Sequence, residues 1–345
     1  MAYTTIPKST DYFNTKLYTG NATGRTISGV GFQPDWSWIK NRSDTSGHRL
    51  LDAVRGATKE LISNATNAEA TEAQSLQSWN SDGFVLGTAA GVNANTNNFV
   101  SWNWKANGAG SANTDGSINT TYTSANTTSG MSIIKYTGTG SAGATIGHGL
   151  GIKPSMIIIK ELAGGNDWIV YTQALTANKI LYLNSTAGEN DNNVFFNDTE
   201  PTTSLITLGS IGATNGSGVA MIAYCFSNVK GFSKQGSYLG NGNADGAFVY
   251  TGFKPAFIML KQSSASGRNW EIYDSKRIGY NVANYRLPPN TAGAEETNVN
   301  IDILSNGFKA RSTDADLNAS GATYIYMAFA EEPLVSTNGT PATAR

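Results

Sequence analysis

One pattern occurs three times in this chain, so whatever it folds into must be built from three versions of a single plan. Each copy opens on an aromatic hairpin signal, Tyr18-Thr-Gly, Tyr136-Thr-Gly or Tyr238-Leu-Gly. A Pro-led apolar run ending in lysine follows, Pro34 to Lys40, Pro154 to Lys160 and Pro255 to Lys261. Then comes an Asn and Glu pair, Asn64/Glu69, Asn184/Glu189 and Asn290/Glu295. Each copy closes on a run whose last large aromatic lies eleven residues after an asparagine: Asn93/Trp104, Asn215/Phe226 and Asn318/Phe329. Repeats of roughly a hundred residues exceed the 20–50-residue solenoid range, so each copy is expected to be a small domain with its own core.

A length of 345 residues suits that division, and 39% hydrophobic residues are enough for packed cores although only 14% are charged. A net charge of −1 provides no field for nucleic acid phosphates or anionic lipid. No apolar run reaches the ~18 residues of a membrane span, and the opening Met1-Ala-Tyr-Thr-Thr lacks the regions of a signal peptide. The expectation is a soluble chain with no nucleic acid partner and no membrane insertion. Cys225 is the single cysteine, which excludes disulfides within the chain and fits synthesis in a reducing cytosol.

Period-2 runs broken by Asp82-Gly83, Asn241-Gly242, Asp245-Gly246 and Asn306-Gly307 predict an all-β fold of three tandem antiparallel β-sandwich modules, jelly-roll or lectin-like. Both faces of each Pro-led strand are apolar, which makes it central, with proline at its first position. In the closing strand Trp102/Trp104, Tyr224/Phe226 and Met327/Phe329 alternate with mostly smaller residues, so the large face enters a core. Ala57 to Leu76 carries the only partial helical spacing. The pattern divides the chain into module 1 (1–106), a flexible Gly/Ser/Thr/Asn linker (107–130), module 2 (131–230) and module 3 (231–345). Modules 2 and 3 are expected to pack as the closer pair, and the tail from Ser336 is expected to fray.

The stretch Ala223 to Tyr238, followed by Gly246 to Phe257, resembles repeated modules of tail-fibre and other virion surface proteins of tailed, notably aquatic, bacteriophages. Ser320 to Ala330, Asp82 to Gly87 and Val100 to Ala106 carry the same likeness. The resemblance implies a component of the phage particle surface, assembled in the host cytoplasm and often adsorbing to the host envelope. It implies other virion proteins as partners, a homo-oligomer such as a trimer, and host cell-surface polysaccharide as receptor. Copy two departs most, since Thr203 to Gly209 lacks the Asp/Asn-Gly-Phe turn. No catalytic residue comes with the resemblance.

Gly138-Thr-Gly140-Ser-Ala-Gly143 fits a dinucleotide fingerprint, but no helix follows it, so no cofactor is expected. His48, Ser46 and Asp52 can be drawn as base, nucleophile and orienter, yet Trp168 and Trp270 stand where His48 does, which favours packing. Asp314-Ala-Asp316-Leu-Asn318 begins like a calcium loop, but Ala319 replaces the glycine and no Glu closes it, so no metal is assigned. Acids such as Asp274, Glu295 and Glu296 are candidates for glycoside cleavage, and nothing singles them out.

Glu69, Glu189 and Glu295, each paired with its asparagine, offer a carboxylate and an amide to sugar hydroxyls; alternatively the asparagine holds a turn and the glutamate ties the loop. Trp168, Trp270, Tyr280 and Tyr285 are expected at loop tips, where aromatic faces stack on sugar rings. The expectation is a non-enzymatic tail fibre or receptor-binding component acting through multivalent weak sites. A capsid decoration or head-fibre protein and a polysaccharide depolymerase are the rivals.

Overall fold

Large and small side chains alternate along the closing strands of repeats 1 and 2, and this alternation sets which face of each sheet turns inward. The computed structural model describes residues 4–336 and 339–342, so the opening Met1-Ala-Tyr and part of the polar tail lie outside the described residues. Repeat 1 comprises β1 (Phe13–Thr19), β2 (Arg25–Ile27), β3 (Trp36–Asn41), β4 (Arg49–Asp52), β5 (Lys59–Ile62), β6 (Ala70–Thr71), β7 (Leu76–Asn80), β8 (Gly83–Leu86) and β9 (Asn98–Trp104). Repeat 2 comprises β10 (Tyr122–Asn126), β11 (Met131–Thr137), β12 (Thr145–Gly147), β13 (Met156–Glu161), β14 (Ile169–Thr172), β15 (Lys179–Tyr182), β16 (Asn190–Asp191), β17 (Leu205–Thr207) and β18 (Ala220–Phe226). Repeat 3 comprises β19 (Ser233–Leu239), β20 (Phe248–Tyr250), β21 (Phe253–Gln262), β22 (Trp270–Asp274), β23 (Ile301–Leu304), β24 (Gly307–Ala310) and β25 (Thr323–Pro333).

The fold is all-β, with several antiparallel sheets, none of them closed. Each repeat has an inner sheet, β1-β9-β3-β4-β5-β6, β10-β11-β18-β13-β14-β15-β16 or β19-β25-β21-β22. Each also has a small outer sheet, β2-β8-β7, β12-β17 or β20-β24-β23. The registers match: Trp36 lies opposite Trp104, Met156 opposite Phe226 and Phe257 opposite Phe329. One-turn helices, α1 (Ala90–Asn93) and α2 (Gly212–Asn215), lead into the closing strands of repeats 1 and 2. The segment from Ala57 to Leu76 holds no helix: it runs through β5 and β6, and its apolar residues Leu61 and Ile62 lie on successive positions of β5, with Leu61 buried.

The opening tyrosine and the asparagine before the closing strand form one clip in all three repeats. The Tyr18, Tyr136 and Tyr238 hydroxyls donate to the carbonyls of Val92, Thr214 and Leu317, at 2.7, 2.5 and 2.8 Å. The next residue, Asn93, Asn215 or Asn318, is fully buried and accepts from the backbone of Asn21, Thr139 or Asn241. The amide nitrogen of each donates to nearby carbonyls, Gly87 and Thr23, Gly209 and Ser141, or Ser312 and Asn243. A buried amide with every group paired specifies its surroundings, which is why this spacing is held.

The repeats do not have separate cores. The closing aromatics Trp104, Phe226 and Phe329 meet in a triangle with ring centroids 6.5, 5.6 and 5.8 Å apart, and the inner faces of all three large sheets pack into one cluster around it. Repeats 1 and 2 add an outer core between their two sheets, centred on Phe84 and on Ile206; that of repeat 3 merges with the centre. The three inner sheets share one core because the outer sheet of repeat 1 covers the Ile39, Leu51 and Phe99 face, so the opposite face, with Trp36, Trp38, Trp102 and Trp104, is buried only against the other repeats.

Closure is cyclic. The Glu69 N–H donates to the Leu162 carbonyl, Glu189 to Ser263 and Glu295 to Arg42, at 2.9, 2.8 and 2.9 Å, so repeat 1 joins 2, 2 joins 3 and 3 joins 1. Each acceptor lies two residues past the lysine of its Pro-led run, Lys160, Lys261 or Lys40. No pair of repeats is the closer one in this pattern. The 107–130 segment is also not a free linker: β10 pairs with β11 along its full length, and Ile118 is buried in the outer core of repeat 2.

Candidate functional site

Trp168 and Trp270 do not stand at exposed loop tips. Both are fully buried at the seams, Trp168 Nε1 donating to Ile62 and Ala65 carbonyls and Trp270 Nε1 to the Tyr182 carbonyl. Each side chain thus crosses to the preceding repeat, and its body fills the shared core. Their backbone N–H groups are held by Asn184 and Asn290, as Asn64 holds His48, so the asparagines of the Asn and Glu pairs fix the entry to a strand.

The glutamates are bound in ion pairs. Glu69 meets Arg55 at 3.4 Å, Glu189 meets Lys179 at 2.5 Å, and Glu295 meets Arg42 at 2.6 Å and Arg277 at 3.1 Å. Tyr285 is half-buried beside Arg42, whose guanidinium lies 5.8 Å from its ring centroid. Of the four aromatic positions, Tyr280 alone is open, at 69% exposure.

The catalytic sketch does not assemble. His48 is buried and its Nδ1 accepts from Trp38 Nε1 at 2.9 Å, which places the proton on Nε2; that nitrogen faces the Pro288 carbonyl but makes no hydrogen bond of good geometry. Burial, with Lys40 nearby, holds the imidazole well below its usual range. Asp52 serves Arg55 and the Tyr224 hydroxyl instead. Burial pushes the Cys225 thiol up to about 12, which leaves it protonated and inert. The glycine-rich 138–143 stretch joins β11 to β12, strand to strand, where a dinucleotide fingerprint needs a helix. In the 314–318 loop, Asp314 accepts from the Asp316 N–H and Asp316 from the Asn269 N–H. Asp274 is ion-paired with Arg277 and Glu296 with Arg286.

What the sequence reading missed is an uneven surface. Among the described residues, five of the seven exposed large hydrophobic side chains belong to repeat 3: Leu239, Phe248, Tyr250, Tyr280 and Val282. Phe248 and Tyr250 flank buried Val249 on β20, so both rings project from the outer face of the outer sheet, each 48% exposed. Across the sheet, Asn281 bonds Ile303 through both amide atoms and sets Tyr280 beside β23.

Charged groups surround this face. Lys309, opposite Phe248, meets Asp245 at 2.5 Å and holds that carboxyl below its usual range, while Arg311 spans Asp245 and Asp302 at 3.5 Å each. Lys234 donates to the Tyr250 carbonyl at 2.7 Å and sits 5.2 Å from its ring centroid. A groove of about 400 Å³ runs alongside, lined by Asn228, Lys230, Lys234, Tyr250 and Thr251. Registers of the outer sheets place Thr26 and Thr145 where Phe248 stands, and Ser28 and Gly147 where Tyr250 stands, so the aromatic face exists in one repeat only. The signal was the run Phe248-Val-Tyr250 itself, aromatic at alternate positions on a short strand next to a glycine turn.

These features define an all-β protein with three pseudo-symmetric repeats around one core and a single aromatic face on the third. The chain belongs to the family described as Domain of unknown function (DUF7483), which matches residues 8–333. No curated protein and no solved structure matches it.

Proposed function

We propose that this chain is a structural component of a tailed-bacteriophage virion, a tail-fibre or receptor-binding protein that recognises host surface glycan through the aromatic face of repeat 3. The observation that carries the reading is the Phe248 and Tyr250 pair, two aromatic rings held on a rigid strand among Lys309, Asp245 and Lys234. Rings of this kind cover the apolar faces of sugars while neighbouring charged groups bond hydroxyls, and a site on a strand is better fixed than one on a loop. The resemblance of Ala223 to Phe257 to phage surface modules supports the same class, and that stretch contains the pair.

Each repeat is read as a lectin-like β-sandwich module, non-enzymatic, of which the third has kept or acquired the recognition face. Avidity then comes from several chains on one particle rather than from three equivalent sites in one chain. The test is binding of fluorescent protein to host cells, with purified heads and tails as parallel targets, for the native chain and the Phe248→Ala/Tyr250→Ala variant. Saturable cell binding that host polysaccharide competes away, and that the variant loses with an unchanged melting temperature, supports the reading. Binding to heads alone replaces it with capsid decoration, and reducing ends released from polysaccharide would replace it with a depolymerase.

A further inference from the structure

Repeat 2 carries a strand that repeats 1 and 3 lack. Residues 111–126 lie in the angle between the inner strand β11 and the outer strand β12: β10 pairs with β11, Thr121 N–H donates to the Lys135 carbonyl at 2.8 Å, and Ile118 N–H donates to the Thr145 carbonyl at 2.9 Å. Ile118 fills the bottom of this angle and Gly116 passes directly over the Thr145 backbone. In repeat 1 no described residue adds a strand in the same angle. Among the described residues nothing pairs with the outer edge of β1 or β2, and a groove of about 360 Å³ remains, with Lys16–Thr19 on one wall and Arg25–Ser28 on the other. These walls are the counterparts of Ile134–Thr137 and Ala144–Gly147, which the 111–126 segment covers.

We propose that the repeat 1 groove is a docking site for an extended segment of a partner protein, which adds a strand to β1 as β10 adds one to β11. Strand addition supplies backbone hydrogen bonds from the edge and specificity from alternate side chains. The chemistry of the occupant follows from the covered copy and from the walls. Segment 111–126 is rich in Ser and Thr, has one branched apolar anchor, and carries Asp115 as its sole charge. The open groove is lined by Lys16 and by Arg25, whose Nη1 now holds the Thr19 carbonyl at 2.6 Å. It therefore takes a neutral or acidic strand, and pairing of two copies edge to edge is disfavoured because Lys16 and Arg25 would meet like charges. Repeat 3 is different: Asn228 already accepts the Gln235 N–H at 2.6 Å and Lys234 ties β19 to the Tyr250 carbonyl, so its edge is occupied from within.

The test uses the full chain and a labelled synthetic peptide of residues 111–126, with binding read by fluorescence anisotropy and the contact located by hydrogen exchange. The expected result is saturable binding that slows exchange in β1, disappears when the peptide carries Thr121→Pro, and weakens about fivefold in an Arg25→Glu protein. Because the exchange map is read on the native protein, it does not depend on the folding of any variant. No binding, or protection confined to repeat 2 through displacement of its own strand, overturns the proposal.

Discussion

Glu271 and Arg286 face each other at 2.6 Å in repeat 3, and Arg49 and Glu60 occupy the same two positions in repeat 1 with the charges exchanged, at 3.3 Å. In repeat 2 the two positions are Ile169 and Ile180, both buried in an outer core. One chain thus contains three solutions to one cross-strand pair, each internally complementary.

Removing a single partner of a buried pair strands the other charge, whereas replacing both with apolar residues is often neutral. Arg286→Ile alone, which leaves Glu271 fully buried without its cation, is expected to cost about 3–5 kcal/mol. The double change Glu271→Ile/Arg286→Ile, which copies repeat 2, is expected to fall within about 1 kcal/mol of the native chain. Urea unfolding of both variants decides it, and equal losses would refute the equivalence.

Trp38 and His48 form a second exchanged pair. Where repeat 1 has a tryptophan on the central strand and a histidine at the seam, repeats 2 and 3 have Ile158 with Trp168 and Met259 with Trp270. Either Trp38→Ile or His48→Trp alone leaves a cavity or an overfilled seam, while the double variant restores the arrangement of repeat 2. A double-mutant cycle is expected to give a coupling energy of about 1–3 kcal/mol, and additivity would contradict it. The double variant also loses an acid sensitivity. The His48 pKa is depressed by burial, so its contribution is present above the unfolded value of about 6.5 and fades as pH falls below it.

A third set concerns the buried carboxylates. Asp52 takes Arg55 at 2.5 Å and the Tyr224 hydroxyl of repeat 2 at 2.7 Å; Asp274 takes Arg277 at 2.5 Å and Trp102 of repeat 1 at 3.0 Å. The corresponding positions at the remaining seam are Thr172, Leu175 and Met327, an uncharged version in which all members have changed together. Asp52→Ala is expected to lower stability by about 3–5 kcal/mol, and Asp52→Thr/Arg55→Leu/Tyr224→Met to recover most of that loss. Thermal melts compare the two, and a triple variant no better than the single one would sink the argument.

Lys40 and Lys261 are fully buried and burial lowers both to about 8, although Asp44 and Asp316 respectively pull the other way. The unfolded chain holds these protons to about pH 10.4, so between about 8 and about 10 it binds more protons than the folded one and stability rises with pH. Above about pH 10 the order reverses, because burial pushes Tyr18, Tyr224, Tyr238 and Tyr273 well above the usual tyrosine range. Urea midpoints from pH 7 to pH 11 are expected to peak near pH 10, and Lys40→Met with Lys261→Met to flatten the rise. A steady decline from pH 8 would count against it.

The repeat itself was legible because one end of each bond in the clip is a particular side chain: the Tyr18 hydroxyl donates to the carbonyl of the residue before Asn93, and the Asn93 amide oxygen accepts from the hairpin after Tyr18. The ring was not legible, because its links end on backbone carbonyls of Leu162, Ser263 and Arg42, which have no side chain in common. Trp168 and Trp270 read as loop tips, yet the polar residues just before them, Asn166-Asp167 and Arg268-Asn269, are half-buried and the indoles turn into the seams. The order of residues 107–130 was hidden for a related reason, as a Ser/Thr-rich strand at a sheet edge has the composition of a spacer.

A ring closed by equivalent contacts would form equally well from three separate chains of one repeat each, but such a trimer would show the same face three times. Fusing the copies keeps the common scaffold while releasing each side to change without the others. Here one side has gained a strand from the intervening segment, one has kept a bare edge, and one has acquired exposed aromatic rings, so a symmetrical frame presents three unlike surfaces to its surroundings.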